Sequence, residues 1–230
     1  MSSIKYIKNI QERHYRNPVG DFYLAGLQIF VKDPVSENVD LRDCLHVVFQ
    51  NMPKYLYKNI KKIFIGQYPL LLSREVQALY DNGCIYLTNE HSDNYDIISD
   101  IVHEIAHAFE ELHHKELYSD NNIKNEFLAK REKLFLLLKS HDIEVPFTKE
   151  KFCKPEYDRG IDEYFYEHVG YEKLNNLAKE IFISPYGATS LREYFANGFE
   201  NFFVNDMFLV KTHANSVYNK ILNFLEFNND

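Results

Sequence analysis

The chain has 230 residues, 45% of them hydrophobic and 15% aromatic, which is enough apolar material for a buried core and too much for a disordered chain. Its 26 Lys and Arg stand against 34 Asp and Glu, a formal charge of -8 with no basic stripe, so nucleic acid is not an expected partner. No apolar run reaches membrane-spanning length and Met1–Ile10 lacks a continuous signal-peptide core, while Cys44, Cys84 and Cys153 are odd in number and widely spaced; no membrane partner and, by default, a reducing cytoplasmic address are expected, with non-classical export or release left open.

Residues 22–32 are rich in aromatic and branched side chains and run into Asp33-Pro34, the pattern of a strand and its turn. Leu41, Cys44, Leu45, Val48 and Phe49 then recur at helical spacing within 41–59, where Pro53 must break or kink the helix. A short apolar run from Lys62 ends at Gly66. Next, Ala78–Tyr80 and Cys84–Leu87 flank Asp81-Asn82-Gly83, a hairpin signal because Asn and Gly both tolerate positive φ. From Tyr95 the period lengthens, and Ile98, Ile101, Val102, Ile105, Ala106 and Phe109 form the apolar stripe of a buried helix. Residues 122–140 predict a second amphipathic helix through Ile123, Phe127, Leu128, Leu134, Leu137 and Leu138, with its charges on a solvated face. The stretch 146–170 looks irregular, and helices are expected again over 174–182, 191–203 and 215–227.

Inside the stripe beginning at Tyr95 lies His103-Glu104-Ile105-Ala106-His107, an HExxH pattern. Two side chains four apart on a helix differ by about 40° in azimuth and roughly 6 Å along the axis, so both imidazoles can grip one ion. Glu104 then lies beside the open coordination position as a candidate base. A third ligand has three candidates. His113 fits a longer HExxHxxGxxH spacing, except that Glu110 occupies the glycine position; in a continuing helix His113 points about 240° away from His107 and roughly 9 Å further on, out of reach. Cys84 would give the ligand set of peptide deformylases, but no glycine-rich segment precedes it and it lies close in sequence to the helix, so a small apolar residue on a hairpin strand is the better reading. Glu193 begins a polar stripe with Asn197 and Glu200 on an otherwise aromatic helix; Ser190-x-x-Glu193 is also a capping box, and the pattern alone leaves ligand and cap both open.

His103-Glu-Ile-Ala-His107, Tyr186 and Glu193-Tyr-Phe-Ala-Asn-Gly-Phe199 together resemble the catalytic domain of the anthrax lethal factor family, which includes the bacterial Pro-Pro endopeptidases. The likeness covers the hairpin, the HExxH helix and residues 184–203. It implies that His103, His107 and Glu193 hold one Zn2+, that Glu104 is the general base, and that Tyr186, seven positions before Glu193, donates to the tetrahedral oxyanion. Asn197 departs from the family pattern, which usually has Glu there. The implied fold is α+β and mainly helical: a zincin-like metallopeptidase domain with a small twisted sheet and hairpin packed on the HExxH helix, plus a second helical subdomain. The implied organisation is one domain over 1–230, with the sheet and HExxH helix at about 20–118, a helical insertion at about 119–183, and the third-ligand and C-terminal helices at 184–230. The expected function is a zinc metallopeptidase of the gluzincin type acting on a protein or peptide. A catalytically weak binding or toxin-associated module and a deformylase-type hydrolase using Cys84 are the alternatives.

Overall fold

A computed structural model of the chain describes residues 12–227; the Met1–Ile10 stretch, expected to lack a signal-peptide core, lies outside them. The fold is α+β, mainly helical, with a small mixed sheet and the HExxH motif inside one long helix, as a zincin-like architecture requires. It divides into two compact units, one ending at Leu112 and the other beginning at His113.

Among the described residues the first unit holds five strands: β1 (Gly20–Leu24), β2 (Leu27–Val31), β3 (Lys62–Ile65), β4 (Ala78–Asp81) and β5 (Cys84–Leu87). They pair in the order β1-β2-β3-β5-β4, antiparallel at both edges and parallel between β2 and β3 and between β3 and β5. The one strand expected over 22–32 is two. Ala25 (φ 54°) and Gly26 (φ 86°) turn the chain between them, since a two-residue hairpin of this hand needs positive φ at both positions. The Asn82-Gly83 hairpin forms as expected, with φ of 49° and 82°. Gly83 is required for a second reason, because a Cβ there would lie 3.0 Å from the Asn59 carbonyl oxygen.

Side chains alternate across the sheet with period two. Ile29, Ile63 and Ile85 lie in register on one face with no exposed surface, while Phe30, Phe64 and Tyr86 stack on the other with centroids 4.9 and 5.0 Å apart. Between β2 and β3 comes helix α1 (Leu41–Asn51), capped by the Asp40 carboxylate, which accepts from the Asp43 amide at 3.0 Å. Its stripe of Leu41, Cys44, Leu45, Val48 and Phe49 is buried, and the helix stops before Pro53 as expected. Helix α2 (Asn94–Tyr118) starts where Asp93 accepts from the amides of Tyr95 (2.8 Å) and Asp96 (3.1 Å). Ile97, Ile101, Val102, Ile105, Ala106 and Phe109 form its buried stripe, with Ile97 rather than Ile98 deepest at its start.

The second unit is helical: α3 (Asn122–Ser140), α4 (Tyr171–Ala178), α5 (Leu191–Val204), α6 (Met207–His213) and α7 (Asn215–Phe227). The segment 146–170 is not wholly irregular, since it contains single helical turns at Lys149–Phe152 and Arg159–Glu163 followed by a π-helical stretch, Tyr164–Val169. Helix α6 was not foreseen; it begins at Asp206, whose carboxylate accepts from the Phe208 amide at 2.8 Å. Phe127, Phe182 and Tyr194 form one buried aromatic cluster, with centroids 5.5 to 6.2 Å apart. Helices α5 and α7 approach closely at Gly198, where a Cβ would lie 2.9 Å from Val217 Cγ1. No helix among the described residues is long and apolar enough to cross a membrane.

Candidate metal centre

The two histidines of the motif lie on consecutive turns of α2, their ring centroids 4.9 Å apart and nearly perpendicular. His107 is buried and His103 half-buried, and Glu104 between them is only 5% exposed. Such a position suits a carboxylate that acts on something inside a cleft better than one that solubilises a helix. The start of the helix is tied to the end of β5 through buried His91, whose ring nitrogens lie 3.0 Å from the Thr88 carbonyl oxygen and 2.9 Å from Asp100 Oδ2. Asp100 is one helical turn before His103, so this contact sets the helix where the motif begins.

Glu193 sits in the first turn of α5. Ser190 caps that helix, its Oγ accepting from the Glu193 amide at 3.1 Å, and the Leu191 amide donates to the Pro155 carbonyl at 2.8 Å. The Ser190 half of the capping box is thus formed through the Glu193 backbone, while the other half and metal ligation both call on the Glu193 carboxylate. One donor atom from each of His103, His107 and Glu193 lies within 4.8 Å of the others. Two imidazole nitrogens and one carboxylate oxygen make a set that a borderline-soft divalent cation accepts, and the residues present fit a single ion with a coordination position left over.

The other two ligand candidates are not members of this group. Cys84 is half-buried on β5, in register with Asp81 across the hairpin. His113 falls where α2 departs from helical geometry (φ -113°, ψ 22°); its ring packs edge-on to Phe224 at 5.0 Å and its Nδ1 is 4.0 Å from Glu116, so it is half-buried rather than simply exposed. Glu110, which takes the place of the glycine in the longer motif, is buried with a carboxylate oxygen 3.9 Å from His107 Nδ1.

Tyr186 opens a short 3-10 turn, Tyr186–Ala188, just before α5, and the residue is 41% exposed. The turn is pinned by its own backbone: Thr189 donates to the Tyr186 carbonyl from its amide (3.0 Å) and its hydroxyl (2.8 Å). It also rests on α5, because a Cβ at Gly187 would meet Asn197 Oδ1 at 3.0 Å. Asn197 is buried, and its backbone carbonyl accepts from the Asn201 side chain at 2.7 Å. Two residues of this neighbourhood escaped the sequence reading, His91 and Arg131. The second had a visible signal, since it falls on the α3 stripe between Phe127 and Leu134, where an apolar residue belongs.

Two histidines four apart, the intervening glutamate and a distal glutamate compose a zincin-like arrangement of the gluzincin type. Compared with known proteins, the chain matches no family model, no curated protein and no solved structure.

Proposed function

We propose that the chain is a zinc-dependent metalloendopeptidase that hydrolyses a peptide bond in an extended protein segment. The observation that supports this most is the convergence of the His103, His107 and Glu193 donor atoms, together with a buried Glu104 on the same helix as the histidines. The resemblance of the HExxH, Tyr186 and Glu193 motifs to the lethal factor family points the same way.

A bound zinc would supply a Lewis acid that polarises the peptide carbonyl and acidifies water. In this reading His103 and His107 give one imidazole nitrogen each and Glu193 one carboxylate oxygen. The Glu104 carboxylate takes the proton of the attacking water and passes it to the departing amine. Tyr186, held by its backbone and exposed, donates a hydrogen bond from its phenolic hydroxyl to the oxyanion that forms at the carbonyl. Strand β4, at the edge of the sheet, offers its backbone to pair with an extended substrate.

A second reading, a zincin-fold binding or toxin-associated module with weak catalysis, draws on Asn197, a neutral amide where the resembling family usually has a carboxylate. Cleavage of a mixed peptide library by the wild type and by Glu104→Gln, with zinc measured in both, separates the two. The peptidase reading expects Glu104→Gln to keep its zinc and lose roughly 10²–10⁴-fold in rate. Zinc in both proteins with no cleavage by the wild type would favour the binding module, and equal cleavage by both would reject Glu104 as the base.

A further inference from the structure

Arg131 lies at the middle of α3, and none of its surface is exposed. Its guanidinium is enclosed by the rings of Phe152, Phe165 and Phe127, with centroids at 4.6, 5.4 and 5.8 Å. Burial pushes its pKa down to about 10, which still leaves it a cation at neutral pH. Taking such a charge out of water is costly, and an apolar side chain of similar volume would fill the space at less cost. Packing alone therefore does not explain an arginine here.

Its hydrogen bonds do. Nε donates to the Phe152 carbonyl at 2.8 Å and Nη2 donates to the same oxygen. Nη1 donates to the Ala188 carbonyl and reaches the Thr189 carbonyl at 3.4 Å. Ala188 and Thr189 are buried, and their carbonyls precede the first turn of α5, so the helix ladder does not supply their donors. The planar fork of one arginine thus ties the end of the 149–152 turn to the segment that leads from Tyr186 into the helix of Glu193. A lysine, with one ammonium, cannot reproduce the fork.

We propose that Arg131 is a positioning residue for the metal centre: by holding the Ala188 and Thr189 carbonyls it fixes the start of α5, and through it the carboxylate of Glu193. The proposal rests on the reading of Glu193 as a metal ligand given above. It predicts that the fork matters for zinc affinity and that its effect passes through Glu193.

The test is zinc affinity, measured by chelator competition, for the wild type, Arg131→Lys, Arg131→Met, Glu193→Ala and the double variant Arg131→Met/Glu193→Ala, with thermal melts of the metal-free proteins to establish that each is folded. We expect Arg131→Met to weaken zinc binding by about 10–100-fold, the range found when a residue that orients a ligand is lost, and Arg131→Lys to weaken it by at least several-fold. On the Glu193→Ala background, Arg131→Met should weaken binding no further. Wild-type affinity in folded Arg131→Met, or in Arg131→Lys where the methionine variant does not fold, overturns the proposal. So does an equal loss with and without Glu193, which would mark a general effect on the fold. A wild type that binds no zinc instead overturns the metal reading itself, and wild-type affinity in Glu193→Ala overturns the third-ligand assignment and, with it, this proposal.

Discussion

At the residue scale, chemistry follows from which atoms the backbone leaves available. Glu193 is both a capping-box residue, its amide donating to Ser190 Oγ, and a member of the donor group, through a carboxylate oxygen. Cys44 illustrates the opposite case, a potentially reactive group that the fold makes inert. Its thiol is wholly buried in the α1 stripe, and burial, followed by the nearby Asp43 and Asp40 charges, pushes its pKa up from 9.0 to about 12. A raised folded pKa means the fold is favoured fully below the unfolded value, and that this contribution fades as pH climbs from 9 towards 12. Cys44 is accordingly expected to resist a thiol reagent at pH 8 in the folded protein and to react promptly in denaturant. Prompt reaction of Cys44 under native conditions, followed by mass spectrometry of its peptide, would contradict the buried assignment.

At the scale of elements, the hairpin at Asn82-Gly83 was legible because two adjacent residues that tolerate positive φ leave the chain few alternatives. The turn at Ala25-Gly26 was not, because alanine rarely takes positive φ and the aromatic run continues on both sides of it. Helix α6 was hidden by its short length, although Asp206 marks its start. Of the charges of α3, expected on a solvated face, Glu132, Lys133 and Lys139 are exposed, whereas Lys124, Glu126 and Lys130 are half-buried and Arg131 is buried, because position on the helix, rather than residue type, decides where each goes. Contact between elements leaves a weaker trace in sequence. Gly198 looks like an unfavourable residue within α5, yet it admits Val217 of α7. Alanine there gains about 1 kcal/mol of helix propensity but forces an overpacked contact that costs about 1–3 kcal/mol. Since β-branched Val217 has little rotamer freedom with which to retreat, Gly198→Ala is expected to lower stability in denaturant titration, and adding Val217→Ala to relieve the contact. Greater stability in Gly198→Ala alone would show that the helices can separate at little cost.

At the scale of the whole molecule, the HExxH pair was legible because its spacing alone brings both rings to one side of a helix. The third donor was not, because it comes from a helix far along the chain, and helical periodicity says nothing about which distant residue folds back to it. Helix geometry set His113 aside, and only the resemblance favoured Glu193 as a ligand over Glu193 as a cap; His103, His107 and Glu193 are the residues whose donor atoms lie together. The most direct test of the central claim is the zinc content and affinity of the wild type beside Glu193→Ala, measured by elemental analysis and chelator competition. One zinc per wild-type chain, bound at least about 100-fold more weakly when Glu193 is lost, is the predicted result. A folded, metal-replete wild type that holds no zinc, or a Glu193→Ala protein that holds it as tightly as the wild type, would contradict the account.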